Sequence, residues 1–307
     1  MSSQEKRDWH IGVIGGSGLY DPGTLDEVQE IAVASAFGEP SGPVVTGKLN
    51  GVRFSFIARH GAGHRLSPSY VNYRANIDVL KRCGVTDVLA ISAIGSLAEE
   101  MAPGQFVAVD QLIDRTQSSP GRRDGSFFGN GVAAHVSLAD PLCPRLSALA
   151  ADAAEAAGAT VHRGGTYVAI EGPQFSTRAE SHLYRSWGAQ VIGMTAMPEA
   201  RLAREAELPY ALLGMVTDYD CWRDATSDVD VTDILAVMRA NADLARATLA
   251  RLADLLPSHR EPSSTDTVLD QAIITPREHW DPAAAARLDA VAGRLLALVP
   301  QRGASSE

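Results

Sequence analysis

Short apolar runs rich in Val and Ile alternate along the chain with stretches of helical spacing, the pattern of a sheet covered by helices. The first run, 10–14, reads as a strand that stops at the turn Gly15-Gly16-Ser17-Gly18. Runs over 43–49 and 52–58 flank Asn50-Gly51, a dipeptide suited to a two-residue hairpin. Helical spacing over 70–83 ends at Gly84, placed as a C′ glycine, and a strand over 85–92 follows. The pattern predicts further strands over 106–113, 160–170, 191–193 and 210–217. It predicts helices over 144–157, from the Thr177/Glu180 capping box to 187, from about 197 with Pro198 in the first turn, and over 231–256. Residues 257–267 are polar and rich in Pro, Ser and Thr. That break predicts a main domain over 8–257 and a tail over 258–307 with a linker and one more helix, 282–299. The expected fold class is α/β, a single domain with a central mixed, largely parallel β-sheet flanked by helices.

Composition narrows the function. The 307 residues are 45% hydrophobic and 21% charged, near globular averages. No apolar run approaches the roughly 18 to 20 residues that span a bilayer, and the opening MSSQEKRDWH lacks a signal peptide's apolar region. A soluble, cytoplasmic protein with no membrane partner is expected. A formal net charge of -10 opposes binding to a nucleic-acid backbone. Cys83, Cys143 and Cys221 are odd in number and far apart, so neither a disulfide framework nor a cysteine zinc site is suggested.

Several chemistries lose support because their motifs are missing: the phosphate loop of nucleotide triphosphatases, a G-x-G-x-x-G after the first strand, H-E-x-x-H, and G-x-S-x-G, since position 19 is Leu. His60 and His64 are four apart, but Gly61 and Gly63 argue for a loop, so no metal is expected there. Small polar and basic residues remain at predicted strand ends: Ser17, Arg59-His60, Ser92, and Thr195 just before a helix. Singly these read as a turn residue, a surface charge and a cap. Together, beyond the carboxyl ends of strands, they are the hydroxyls and guanidinium that a phosphate needs. Thr217-Asp218-Tyr219-Asp220 closes the last apolar strand, where residues two apart face the same way, so both carboxylates could reach one ligand; an Asp-rich capping turn is the other reading.

The segments IGVIGGSGLYDP (11–22), ARHGAGHRLSPSYVNYRANI (58–77), SAIGSL (92–97), GQFVAVDQLIDRT (104–116), IEGPQFSTRAES (170–181), GMTAMPEA (193–200) and TDYDCW (217–222) resemble, in order, the methylthioadenosine phosphorylase branch of the trimeric purine nucleoside phosphorylase family. The tail, with VLDQAIIT at 268–275, resembles bacterial members more loosely. The resemblance implies phosphorolysis of 5′-deoxy-5′-methylthioadenosine to adenine and 5-methylthioribose 1-phosphate, a step of methionine and purine salvage. It implies no metal or organic cofactor, inorganic phosphate being a co-substrate, and a homotrimer. It places phosphate at Ser17, Arg59, His60, Ser92, the backbone of Ala93, and Thr195. The ribose falls on Met194, and the base on Phe175, Ser176, Thr217, Asp218 and Asp220. His135 matches a histidine that a neighbouring subunit contributes. Ser17 and Ser92 stand where Thr is common, keeping the hydroxyl, and Ile94 replaces a family cysteine.

The implied mechanism has phosphate stabilising and capturing a cationic ribosyl carbon while Asp218, with Asp220 beside it, assists departure of the purine. The alternatives are a phosphorylase of 6-oxopurine nucleosides such as inosine or methylthioinosine, a nucleosidase that uses water, and a non-catalytic purine-binding protein. The Asp pair favours a 6-amino group, because 6-oxo sites need a donor such as Asn.

Overall fold

The computed structural model describes residues 9–16, 18–19, 25–118, 123–223 and 231–297, with the side chains of 231–236 left aside. The strands are β1 His10–Gly15, β2 Asp26–Ile31, β3 Val44–Leu49, β4 Val52–Ala58, β5 Asp87–Ser96, β6 Phe106–Ala108, β7 Gln111–Arg115, β8 Val161–Arg163, β9 Thr166–Ile170, β10 Val191–Gly193 and β11 Tyr210–Asp218. The helices are α1 Tyr73–Arg82, α2 Pro144–Ala156, α3 Arg178–Ser186, α4 Ala196–Glu205, α5 Val231–Leu255, α6 Leu269–Ala272, α7 Pro282–Arg287 and α8 Gly293–Ala297.

Among the described residues these strands form one mixed sheet in the order β2-β3-β4-β1-β5-β10-β9-β7, with β11, β6 and β8 branching from β5. β5 is its hub. It runs parallel to β1 and β11 and antiparallel to β10 at its far end. Its Val88-Leu89-Ala90-Ile91 run is buried because helices cover both faces of the sheet. α1, α4 and the tail pack on one side; α2 and α5 pack on the other.

Local chemistry explains most boundaries. Asn50 and Gly51 take positive φ, 48° and 80°, as the β3–β4 hairpin requires. α1 starts later than its spacing predicts because the Asn72 side chain caps Ala75 N, leaving Pro68–Tyr70 as a separate 3-10 turn. It ends at Gly84 with the paired bonds of a glycine terminus, from Gly84 N to Lys81 O and from Val85 N to Leu80 O. The capping box of α3 forms as expected.

Five points differ from the expected pattern. The strand expected over 106–113 divides into β6 and β7, and that over 160–170 into β8 and β9. The two breaks face each other: Gly165 N donates to Asp110 Oδ1, and Gly164 N to Ala108 O. β5 runs on to Ser96. β2 escaped prediction because DEVQEI carries almost no apolar pattern; it is an exposed edge strand paired with β3. Finally, the helix expected over 282–299 is two short ones, α7 and α8, with 298–299 outside the described residues.

The polar 257–267 stretch does not detach the tail. Leu269, Leu288, Val291 and Ala292 are buried in the core that holds α1 and α4. Arg260 pairs with the fully buried Asp87 and with Asp266, and Arg294 pairs with Glu207. Deleting residues 258–307 should therefore lower the unfolding free energy by about 5 kcal/mol or more, since burying each large apolar side chain contributes roughly 1.5–3 kcal/mol. Urea denaturation measures it; unchanged stability would show that the tail is an appendage.

Candidate active site

β1, β4 and β5 lie side by side and parallel, so their carboxyl ends open on one edge of the sheet, where ligands of such sheets bind. Arg59 is the first residue after β4. Its backbone N–H donates to Gly15 O, which sets the register, and its side chain turns inward and is 2% exposed. Nε and Nη2 donate to the two oxygens of Glu199, at 2.8 and 3.0 Å. Nη2 also reaches Ile14 O, and Nη1 reaches Ile91 O. Burial opposes the charge on Arg59, but Glu199 outweighs it and the guanidinium is held protonated. Arg59 is thus no surface charge.

Ser92 lies within β5, not after it, and its Oγ is 3.2 Å from Thr195 Oγ1. Thr195 precedes α4, yet its hydroxyl makes no capping bond. It is turned toward the strand ends, which removes the capping explanation for this residue. Ala93 is the exposed position of β5, whose other residues are buried or, at Gly95, half-buried. His60 donates from Nδ1 to Leu66 O, so the neutral ring keeps Nε2 as an acceptor. Its ring stacks on His64 at 4.2 Å. Burial, followed by the neighbouring Arg59 charge, pushes its pKa down to about 4. Ser17 lies outside the described residues.

Three residues further along β5 is Gly95, where a Cβ would sit 3.2 Å from Asp218 Oδ1 and 3.0 Å from Ile192 Cγ2. Glycine here lets the carboxylates approach the strand. The strand-alternation argument for Asp218 and Asp220 fails in detail: β11 ends at Asp218, and Asp220, with φ 44°, opens a 3-10 turn. Asp218 Oδ1 accepts from Asp220 N at 2.8 Å, so an Asx turn brings the pair together. Thr217 Oγ1 donates to Asp218 Oδ2 and Ser176 Oγ to Asp220 Oδ2 at 3.0 Å. On the Ser176 loop, Phe175 is 84% exposed, the most exposed large apolar side chain among the described residues. Met194, between Gly193 and Thr195, lies against Gly172, whose absent Cβ makes room for its sulfur. Phosphate-type and base-type groups therefore flank one strand, Ser92 and Gly95 being about 10 Å apart along it at the usual rise.

His135 belongs to a different neighbourhood. Its N–H donates to Ala272 O, in a short pairing of 133–135 with the tail. Among the described residues no group of three or more His, Cys, Asp or Glu gathers as a metal site.

Residues 10–254 match the phosphorylase superfamily. The chain belongs to that superfamily. The S-methyl-5'-thioadenosine phosphorylase of Cereibacter sphaeroides is 56% identical over 288 residues, 93% of this chain and 98% of the relative. The protein of the same name from Bradyrhizobium diazoefficiens is 54% identical over the same shares. Among solved structures, a methylthioadenosine phosphorylase from an antarctic soil metagenomic library superposes with a TM-score of 0.88 at 45% identity, covering 92% of this chain and 99% of that one. A Schistosoma mansoni methylthioadenosine phosphorylase in complex with adenine gives 0.75 at 36% identity, covering 81% and 92%.

In this superfamily member the pattern of residues did not reveal Glu199 or Gly95. An acid in a helix's first turn is favoured by the helix dipole anyway, so Glu199 carried no separate signal.

His60, and His10 in β1, which burial followed by Arg53 also pushes down to about 4, have pKa values below the 6.5 of an open chain. Between 6.5 and 4 these two histidines bind protons in the unfolded chain that they refuse in the folded one, so their contribution to stability falls as pH falls through that window, opposed in part by Glu205, whose carboxyl burial pushes up to about 7. Urea unfolding at pH 7 and pH 5 should show the loss, and His60→Asn should flatten it; an identical slope in the variant would exclude His60 as a contributor.

Proposed function

We propose that this enzyme is an S-methyl-5′-thioadenosine phosphorylase: it cleaves 5′-deoxy-5′-methylthioadenosine with inorganic phosphate, giving adenine and 5-methylthioribose 1-phosphate. The observation that carries the reading is the placement, along one strand, of the Arg59–Ser92–Thr195 group at its middle and the Asp218–Asp220 pair beside Gly95 near its end. The gap suits a ribosyl group, and the names of the relatives supply the nucleoside.

In the reaction the N9–C1′ bond breaks with its electron pair leaving on the purine, and a phosphate oxygen forms the new bond to C1′. Phosphate, held by Arg59, the hydroxyls of Ser17, Ser92 and Thr195, His60 and the Ala93 backbone, stabilises the cationic carbon before capturing it. Asp218 hydrogen-bonds N7 and shares the proton that makes adenine a better leaving group. Asp220, its carboxylate steadied by Ser176, accepts from the 6-amino group; Phe175 and Thr217 complete the base end and Met194 the ribose contact. No metal or organic cofactor takes part. Such chemistry belongs in the cytoplasm, and among the described residues no helix is long and apolar enough to cross a membrane.

A homotrimer completes the site, with His135 reaching a neighbour's nucleoside. Support comes from Ile274, 59% exposed beside the strip that pairs with His135. Sedimentation at three chains is expected; an active monomer would overturn the assembly.

The activity is tested with methylthioadenosine and methylthioinosine, each with and without phosphate. Adenine release should require phosphate, and equal turnover in its absence would make the protein a nucleosidase. Asp220→Asn should shift kcat/KM from the 6-amino toward the 6-oxo substrate by roughly tenfold to a hundredfold, the effect of a mispaired buried polar group. An unchanged ratio would mean that Asp220 does not read the base.

A further inference from the structure

Glu199 lies in the first turn of α4 and is 1% exposed, and the reaction scheme above gives it no part. A guanidinium carries five N–H donors. On Arg59 four are spoken for: Nε and one Nη2 donor by the Glu199 carboxylate, the second Nη2 donor by Ile14 O, and one Nη1 donor by Ile91 O. One Nη1 donor remains. Ile91 immediately precedes Ser92, whose hydroxyl is bonded to Thr195, so the Nη1 group is anchored one residue away from the hydroxyl pair. The carboxylate is itself oriented, since Tyr210, fully buried at the start of β11, donates its hydroxyl to Glu199 Oε1 at 2.9 Å.

We propose that Glu199, oriented by Tyr210, is a positioning residue for phosphate: its two-pronged grip fixes the plane of the Arg59 guanidinium so that one N–H points to the anion. The proposal rests on the reading of Arg59 as a phosphate ligand. Glu199 does not itself meet the dianion, which its charge would repel; it acts through Arg59. The arrangement trades attraction for direction, because the carboxylate cancels part of the arginine's charge while holding its geometry. Directed donors matter here, since misplacing a reactant by about 1 Å can cost a hundredfold in rate.

The test is steady-state kinetics on the full chain, varying inorganic phosphate and methylthioadenosine separately, for Glu199→Gln, Glu199→Asp, Tyr210→Phe and Arg59→Ala, with melting temperatures alongside. Glu199→Gln keeps the shape but loses one prong; Glu199→Asp keeps the charge but pulls the grip back by one methylene. Both should raise the phosphate KM about tenfold or more, the scale of one charged hydrogen bond, with the nucleoside KM unchanged. Tyr210→Phe should raise it by a smaller factor. If Glu199→Gln fails to fold, Glu199→Asp and Tyr210→Phe carry the test. A phosphate KM equal to wild type in the Glu199 variants, or a lower melting temperature with both KM values unchanged, overturns the proposal and leaves Glu199 as a strut. If that happens while Arg59→Ala still raises the phosphate KM, the site reading survives; if Arg59→Ala leaves the phosphate KM unchanged, the site reading fails and this proposal with it.

Discussion

A guanidinium buried in a protein interior must be met by a counter-charge and by acceptors for its donors, because an uncompensated buried charge is strongly destabilising. Arg59 imposes that requirement at the centre of this molecule. Meeting it ties together four pieces of chain far apart in sequence: the end of β1 through Ile14, the middle of β5 through Ile91, the first turn of α4 through Glu199, and β11 through Tyr210. The elements that converge on Arg59 and its carboxylate partner also carry Ser92, Thr195 and Asp218 of the candidate site. Fold and site therefore share a single electrostatic solution, and the strands could not be rearranged without stranding the charge.

The remaining site geometry follows from places where regular structure stops. β11 ends at Asp218, and the carboxylates meet through a turn rather than through strand alternation. α4 starts without a side-chain cap, so Thr195 keeps its hydroxyl for Ser92. Gly95 and Gly172 are the spaces into which a carboxylate and a thioether approach. At each of these points regular structure gives way where candidate site residues gather, as expected where function departs from foldability.

Most of the architecture was legible because the strands are apolar runs closed by glycine turns, and because α1 and α3 carry their capping signals in the chain itself. What was not legible depends on partners remote in sequence. The breaks that divide β6 from β7 and β8 from β9 exist because Asp110 meets Gly165. The tail joins the core because Asp87 and Glu207 wait for arginines placed far along the chain. In the site, Arg59, Ser92 and Thr195 could be picked out by residue type and strand-end position, whereas Glu199 and Tyr210 could not, since an acid at a helix start and a Tyr in an apolar strand are ordinary. Only proximity gives them meaning.

The hub role of β5 also bears on how the chain reaches this state. Its Val88-to-Gly95 edge pairs with β11, which begins at Tyr210, more than a hundred residues later. During synthesis at roughly 5–20 residues per second, that apolar edge stays without its neighbour for roughly 5 to 20 seconds. An open, hydrophobic strand edge is a template for pairing with other chains. The strand that organises the finished sheet is thus, for those seconds, a segment of the nascent chain in need of shelter.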